Sequence, residues 1–454
     1  MSPLLQERFF GAEAQALHID TIEEKPVLLD FDGGQITSDA GMLLVGQVDN
    51  QLGLSKALAS VLRDERAPNR ITYSMEGLLR QRVYQIAAGY EDQDDSDALR
   101  GDPIFKILLG QAPETGSDLA SQPTMSRFEN GVSRGMLWRM GEVFLEQFIA
   151  SYARAPEVIV LDFDDTVDQV HGEQEQARYN SHAGDHCFLP LHVYEGISGR
   201  FITALLKPKV LKGAEMLPIV RRLITRLRAQ WPHCEIIFRG DSHFTYPEVM
   251  DYLEPHVHYV TGLGSNSVLK AKAREIEEEA KRHFRRGDRA KVLRFHSFPY
   301  QAKTWPHTRR VIVKVEVTEK GTNTRFVVTD LKRIGAKRLY QKIYCARGQM
   351  ENYIKDHKVG LKSDRTSCHR FSANQFRLFL HSAAYVLLHA LRTELLGHTT
   401  WSRVRFETLQ IRMLKLGASV KEHTDSIRVS LSSHTPAEQM LRSSFALLAS
   451  LTPT

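Results

Sequence analysis

The sequence predicts an α/β protein built on a mixed sheet, and three observations carry that expectation. Apolar runs of strand length close on acids at Glu157-Val-Ile-Val-Leu-Asp-Phe-Asp164 and again at Glu235-Ile-Ile-Phe-Arg-Gly-Asp241. Helical periodicity dominates the residues before the first run and those after residue 331. The stretch from Tyr340 to Lys358 spaces Tyr344, Arg347, Glu351 and Lys358 so that, at about 100° per residue, they share a helical stripe about 60° wide. One carboxylate is bracketed there by two cations and a phenol. A carboxylate can hold a divalent metal, and Arg, Lys and Tyr can hold phosphate oxygens. The same pattern also suits a solvated helix face with ion pairs one turn apart.

In chain order, residues 1 to about 25 read as frayed, and Val27 to Asp32 as a short strand ending at Gly33 and Gly34. Ser38 and Asp39 are candidate caps for a helix through Met42 and Leu44. Met75 to Ile86 has helical spacing, and Pro123-Thr124 opens a helix containing Arg127, Glu129 and Asn130. A boundary is expected at Ala155-Pro156, closing a mainly helical N-terminal domain over 1–155.

After the strand ending at Asp164 come strands at Cys187 to Tyr194 and Phe201 to Leu206, joined by a turn at Gly196 to Gly199. A basic amphipathic helix over Ala214 to Ala229 precedes the strand ending at Asp241, and a short helix over Pro247 to Leu253 precedes a strand at His258 to Gly262. A charged helix at Leu269 to Phe284 and runs at Val292 to Phe298, Arg310 to Thr318 and Thr324 to Thr329 read as an inserted β-rich subdomain over 265–330. An apolar helix follows from Ser372 to Leu396, and 397–454 reads as a helical tail. Five strands, with helices before the fourth and the fifth, then an insertion and a late helix give the order of a ribonuclease-H-like fold. Its mixed five-stranded sheet, flanked by helices, would take residues 156–264 and 331–396.

The 454-residue chain has a net charge of +6, a mild lean toward a polyanionic partner. Eight cations stand against Glu215 alone between Arg200 and Arg228. A second cluster at Lys281 to Arg294 includes Arg285, Arg286 and Arg289, and six cations lie between Lys332 and Arg347 without an acid. Such runs flanking acidic strand ends point to nucleic acid. Cys187, Cys234, Cys345 and Cys368 lie far apart, without a Cys-x-x-Cys pair, which fits a reducing cytoplasm and argues against a zinc or disulfide framework. There is no basic-then-apolar leader, and no apolar run nears the ~20 residues that span a bilayer. His171, His182, His186 and His192 read as polar loop residues, none in a zinc-enzyme setting.

The set Leu161-Asp-Phe-Asp-Asp-Thr166, Phe238-Arg-Gly-Asp-Ser-His-Phe244 and Tyr344-x2-Arg347-x3-Glu351-x6-Lys358 resembles the bacterial insertion-sequence transposases of the DDE class. The resemblance is to the insertion-sequence-1380 family, related to the insertion-sequence-4 group, whose Tyr-Arg-Glu-Lys signature the last motif matches in spacing. It extends to Gln81 to Asp92 and Leu99 to Pro103, covering roughly residues 30 to 395. It implies Asp164, Asp241 and Glu351 as catalytic and metal-binding acids. Asp162, on the same strand face as Asp164, is the alternative first acid and a further candidate ligand. The implied cofactor is Mg²⁺, two ions per site about 3.5–4 Å apart, with Mn²⁺ as a substitute. Tyr344, Arg347 and Lys358 would contact DNA phosphates, and Arg285, Arg286 and Arg289 would bind DNA through their charge.

The implied partners are double-stranded DNA, as inverted-repeat ends and target, and a second copy of the chain in a synaptic complex. The implied setting is the bacterial cytoplasm at the nucleoid. Members of the insertion-sequence-4 group use an aromatic in the inserted region to hold a flipped base, which points to Trp305; an indole covering the subdomain's own core is the other reading. Two rival functions compete. One is a catalytically silent DNA-binding relic. The other is a haloacid-dehalogenase-type phosphatase built on Asp162-Phe-Asp-Asp-Thr166, which lacks that family's second late acid after Asp241 and leaves the basic runs unexplained.

Overall fold

The computed structural model describes residues 17–287 and 290–451. Its centre is a mixed sheet of β1 (Val158–Asp165), β2 (Leu191–Glu195), β3 (Phe201–Leu205), β4 (Glu235–Gly240), β5 (His258–Leu263), β6 (Lys291–Tyr300), β7 (Arg309–Thr318) and β8 (Gly321–Thr329). The spatial order is β6-β7-β8-β5-β4-β1-β2-β3. β1, β4 and β5 run parallel to one another, and the remaining neighbours pair antiparallel. The parallel strands are the near-continuous apolar runs, as a sheet covered on both faces requires.

The expectation of a five-stranded sheet beside a separate β-rich insertion is corrected here. The three inserted strands join the same sheet, because β8 pairs antiparallel with β5 from Val260↔Thr329 to Leu263↔Phe326. Without them β5 would present a row of unpaired N–H and C=O groups, and the long β6–β8 meander satisfies that edge.

Helices cover both faces. On one lie α5 (Gly213–Gln230), α6 (Pro247–Leu253) and α7 (Ser267–Arg285). Their apolar sides pack on Leu161, Phe163, Ile236 and Phe238 in one core. On the other lie α1 (Met42–Leu52), α2 (Met75–Ala87) and α3 (Gln122–Asn130) from the N-terminal part, while α4 (Arg134–Ala150) gives Met140 and Phe144 to their cluster and Leu145 and Phe148 to the first core. They are joined by α8 (Gly348–Lys355) and α9 (Phe371–Ala390). α9 is buried along nearly its whole length, and one apolar cluster unites it with the N-terminal helices and with Tyr194 and Phe201 of the sheet.

Several local expectations differ. The strand expected at Val27 to Asp32 lies at Lys25–Leu29, paired with a strand at Leu17–Ile22 where fraying was expected. Ser38 and Asp39 do not cap α1, which begins after Gly41 without a side-chain cap. Asp39 is instead buried, accepting from Tyr90 Oη at 2.8 Å and facing Lys415 Nζ at 2.9 Å. The tail expected to be helical contains a hairpin, Ala418–Glu422 with Ile427–Leu431, whose first strand pairs with Ile36–Thr37. Alternating residues in Ser419-Val-Lys421 suit a half-buried strand better than a helix.

One buried ion cluster ties the helical layer together. Glu129 of α3 is 0% exposed, with Arg82 Nε at 2.7 Å, Arg377 Nη1 at 3.0 Å and Gln93 Nε2 at 2.5 Å. Burial alone would push its pKa up, but Arg377 and Arg82 hold it below the usual carboxylate range. The guanidiniums also cap loop carbonyls, Arg82 on Tyr90 and Arg377 on Glu91. Removing the carboxylate strands two buried cations, so Glu129→Ala should cost about 3–5 kcal/mol. Urea unfolding checks this; a loss under 1 kcal/mol would mean the cations find other partners.

Candidate active site

Gly240 of β4 lies beside Phe163 of β1, so the next residue of each parallel strand, Asp241 and Asp164, emerges at the same sheet end. The turn after β4 is set by Asp241 itself, whose carboxylate accepts the backbone N–H of His243 at 2.8 Å. Asp165 follows Asp164, and Lys207 Nζ meets its Oδ1 at 2.5 Å. Burial raises the pKa of Asp164 to about 6; Arg347 opposes that rise, while Asp241 and Asp165 add to it. Burial also raises Asp165, against Lys207, and lowers Lys207. Acids crowded in a partly desolvated site repel one another, the electrostatic condition that a bound cation relieves.

The late helical segment is less regular than the sequence implied. Its backbone runs as a π-turn at Leu339–Tyr344, a 3-10 turn at Cys345–Arg347, then α8, then a second π-turn at Asp356–Gly360. A π-turn holds more residues than an α-turn, so a uniform 100° step does not apply across it. Three of the four signature residues still converge on the strand ends. Arg347 Nη1 lies 2.9 Å from Asp164 Oδ2. Lys358 Nζ reaches Asp168 Oδ1 at 3.2 Å, Thr166 Oγ1 at 3.3 Å and the Val167 carbonyl. Tyr344 is half-buried with its hydroxyl against Gly262 of β5.

Glu351 differs. It stands exposed on the first turn of α8, with no ion pair or hydrogen bond among the described residues. No group of three ligand atoms within 4.8 Å of one another includes Asp164, Asp241 and Glu351 among the described residues. The grouping that does meet that distance is Asp251, Glu254 and His307, toward the opposite sheet end. Arg309 Nε lies 2.7 Å from Glu254 and its Nη2 bonds Asp251, while His307 Nε2 lies 2.8 Å from Glu254. That grouping is an ion-pair network around a guanidinium.

The geometry changes the standing of other residues named from sequence. Asp162, a candidate metal ligand, is 0% exposed, and Arg239 takes both its oxygens at 2.5 and 2.6 Å. It is a buried ion pair that fastens β1 to β4, and Arg239 Nη1 carries on to the Ile343 carbonyl at 2.6 Å. Trp305 is 6% exposed, packed edge-on against Tyr300 with Arg309 over its ring, so it offers no face to a base. His192 is a buried strand residue of β2 rather than a loop residue.

Arg285 and Arg286 are exposed at the C-terminal end of α7; Arg289 lies outside the described residues. In the 200–228 run, charge serves docking. Arg226 binds Glu146 at 2.6 Å through both nitrogens, Arg222 pairs with Glu142, and Lys209 meets Glu215 at 2.8 Å. Lys332, Arg333, Lys337, Arg338 and Lys342 are exposed, with no carboxylate paired to them among the described residues.

Lys207, Asp165 and Asp168 are site residues that sequence reasoning did not single out. Lys207 was one of the eight cations counted between Arg200 and Arg228; its available signal was its place directly after the apolar Leu205-Leu206. Gly262 is a further unrecognised determinant. A β-carbon there would lie 2.8 Å from Tyr344 Oη, 2.9 Å from Ser242 N and 3.2 Å from Asp241 C. Two of those atoms are backbone and cannot swing away. Gly262→Ala should therefore displace the Asp241 turn, costing about 1–3 kcal/mol. It should impair any activity that needs Asp241 and Asp164 side by side. Thermal melting and a DNA-cleavage assay check it; an unchanged melt and rate would show that the turn yields freely.

Comparison with known proteins can be set beside this geometry. A family model described as transposase DDE domain group 1 matches residues 19–453. Among solved structures, the chain is similar to a piggyBac transposase in a synaptic complex with hairpin DNA, determined by cryo-EM. The two are 12% identical, the match covers 84% of this chain and 80% of that one, and the TM-score is 0.42, too loose a likeness to support an argument. No curated protein sequence matches significantly. Matched from residue 19 to residue 453, the chain belongs to the transposase family with a group 1 DDE domain.

Proposed function

We propose that this protein is a DNA transposase of the insertion-sequence-1380 type, which cuts the ends of its own element and joins them to target DNA. The observation that carries the reading is the Arg347–Asp164 contact, which brings the first acidic strand end and the late signature together across 183 residues of chain. On this reading Asp164, Asp241 and Glu351 are the catalytic acids on a ribonuclease-H-like core. Residues 1–155 serve the DNA ends, 156–264 with 331–396 the chemistry, 265–330 the insertion and 397–454 the tail. The working form is a homodimer on paired inverted-repeat ends, in the cytoplasm at the nucleoid.

The all-oxygen donor set at the strand ends suits a hard divalent cation such as Mg²⁺ or Mn²⁺. Asp164 and Asp241 would hold it, with Glu351 free to complete the set. When bound, two such cations neutralise the charge of the phosphodiester and acidify the attacking water. The chain's own groups do the rest. Arg347 and Tyr344 orient the phosphate, Lys358 holds the loop after β1, and Lys207 fixes Asp165 so that it does not compete for the same ligand. The exposed cations from Lys332 to Lys342 would carry the flanking duplex.

The test is incubation of the purified protein with DNA carrying the element's ends and Mg²⁺ or Mn²⁺, scoring nicks at the boundary. Nicking at the 3′ ends followed by joining is the expected result. DNA binding with no metal-dependent cut would instead favour a silent binding protein.

A further inference from the structure

Between β1 and β2 the chain leaves the main sheet as a small three-stranded unit, Asp168–Gln169, Arg178–Asn180 and Asp185–Phe188. This unit starts four residues after Asp164, and Lys358 ties down its base through Thr166, Val167 and Asp168. Between the unit and the segment after Lys358 lies an open cleft of about 1040 Å³. His171 and His182 line one side, and Lys358 and Lys362 the other.

The lining suits an anionic chain with exposed rings. His171 and His182 are both exposed in it. Aromatic and imidazole faces are platforms for bases that no longer stack on neighbours; in a duplex those faces are already covered. Of the acids in the lining, Asp92 is near Arg365, at 3.7 Å, and Asp364 stands on the same segment as Lys362, two residues on.

Lys362 is the more telling residue. Its φ of 58° is the left-handed region, where a side chain costs about 1–3 kcal/mol of backbone strain relative to a relaxed conformation. Glycine or asparagine would sit there with less strain. It has no ion pair among the described residues, so the strained backbone presents an unneutralised ammonium to the cleft.

We propose that this cleft takes an unpaired DNA strand, the segment that leaves or enters the Asp164–Asp241 end of the sheet when a duplex end opens. The inference rests on the transposase reading and adds to it a path and a strand state. Lys362 meets the phosphates, Lys358 holds the base of the cleft, and His171 and His182 meet the bases.

The experiment compares binding, by fluorescence anisotropy, of a blunt duplex and of the same duplex with a five-nucleotide single-stranded extension. The full chain and the Lys362→Asn/His182→Ala variant are both used. Asparagine tolerates the left-handed backbone, so the fold is retained, and a melting curve verifies that. The expected result is a roughly tenfold loss of affinity for the tailed DNA with the blunt duplex held within about twofold, as removal of a phosphate and a stacking contact from single-stranded binding implies. Equal losses on both probes would make the cleft a duplex surface and overturn the proposal, as would no loss on either. Failure of the unmodified protein to bind either DNA would bring down the transposase reading itself. Normal binding and cleavage with an indifferent variant would bring down only the cleft.

Discussion

Asp164→Ala and Asp241→Ala should each abolish end cleavage while leaving DNA binding nearly intact. Both acids sit at the C-terminal ends of adjacent parallel strands, where Asp241 and Asp165 add to the burial that raises Asp164. Loss of a group that would hold the metal should exceed the ~100-fold that outer-shell residues of metal sites cost. Glu351→Ala should behave the same way if its exposed carboxylate joins the set on DNA. Asp162→Ala is the informative contrast. It removes the partner of a buried guanidinium, so its effect should appear as about 3–5 kcal/mol of lost stability rather than as a folded, inactive protein. Cleavage assays paired with melting curves separate the outcomes. A stable, inactive Asp162→Ala would return that residue to the site, and wild-type nicking by Asp164→Ala would remove Asp164 from it.

The second large effect is on acid stability. His192, His357, His381 and His389 are all buried. Burial pushes His192 and His389 down to about 3, and His357 and His381 well below the ordinary imidazole value. Their hydrogen bonds suit neutral rings: His357 Nδ1 meets Tyr194 Oη at 3.2 Å, and His389 Nε2 meets the Ser198 carbonyl at 3.0 Å. Above about pH 6.5 both folded and unfolded chains keep these rings neutral, so they contribute no slope. As pH falls below that value only the unfolded chain takes up the protons. Each ring then removes about 1.4 kcal/mol of stability per pH unit, down to its folded value.

Raised acids run the other way, Asp165, Asp162 and Asp102 among them. Asp164, raised to about 6, and Asp168, raised by burial to about 7, bind protons in the folded state first and offset part of the loss. The net expectation is a fall in stability of at most about 3 kcal/mol per pH unit between roughly pH 6 and 4. Urea midpoints at pH 7.5, 5.5 and 4.5 measure it, and a flat profile would mean that the rings reach solvent. His389→Gln, whose amide can still donate to Ser198, should flatten the slope by one proton's worth.

Much was legible in the chain itself. The apolar runs ending at Asp164 and Asp241 needed no tertiary information, because strand length, flanking turns and burial on both faces leave a direct imprint on residue type. Helices α5, α7 and α9 were legible for the same reason, through their periodicity or continuous apolarity. The signature from Tyr344 to Lys358 was legible as spacing, and the family match over 19–453 agrees with the DDE class that it suggested.

What the sequence could not decide was how each charge is spent. Asp162 and Asp164 are two residues apart on one strand face, yet Arg239 claims both oxygens of the first while the second faces Arg347. Lys207 and Arg226 belong to one basic run, but one is buried on Asp165 and the other pairs with a neighbouring helix. Trp305 sits in a turn-like basic segment, and Tyr300 with Arg309 closes over it. Local patterns record which residues avoid water. These ion pairs join residues 42 to 183 positions apart, and only the packed tertiary structure determines which acid remains free to act.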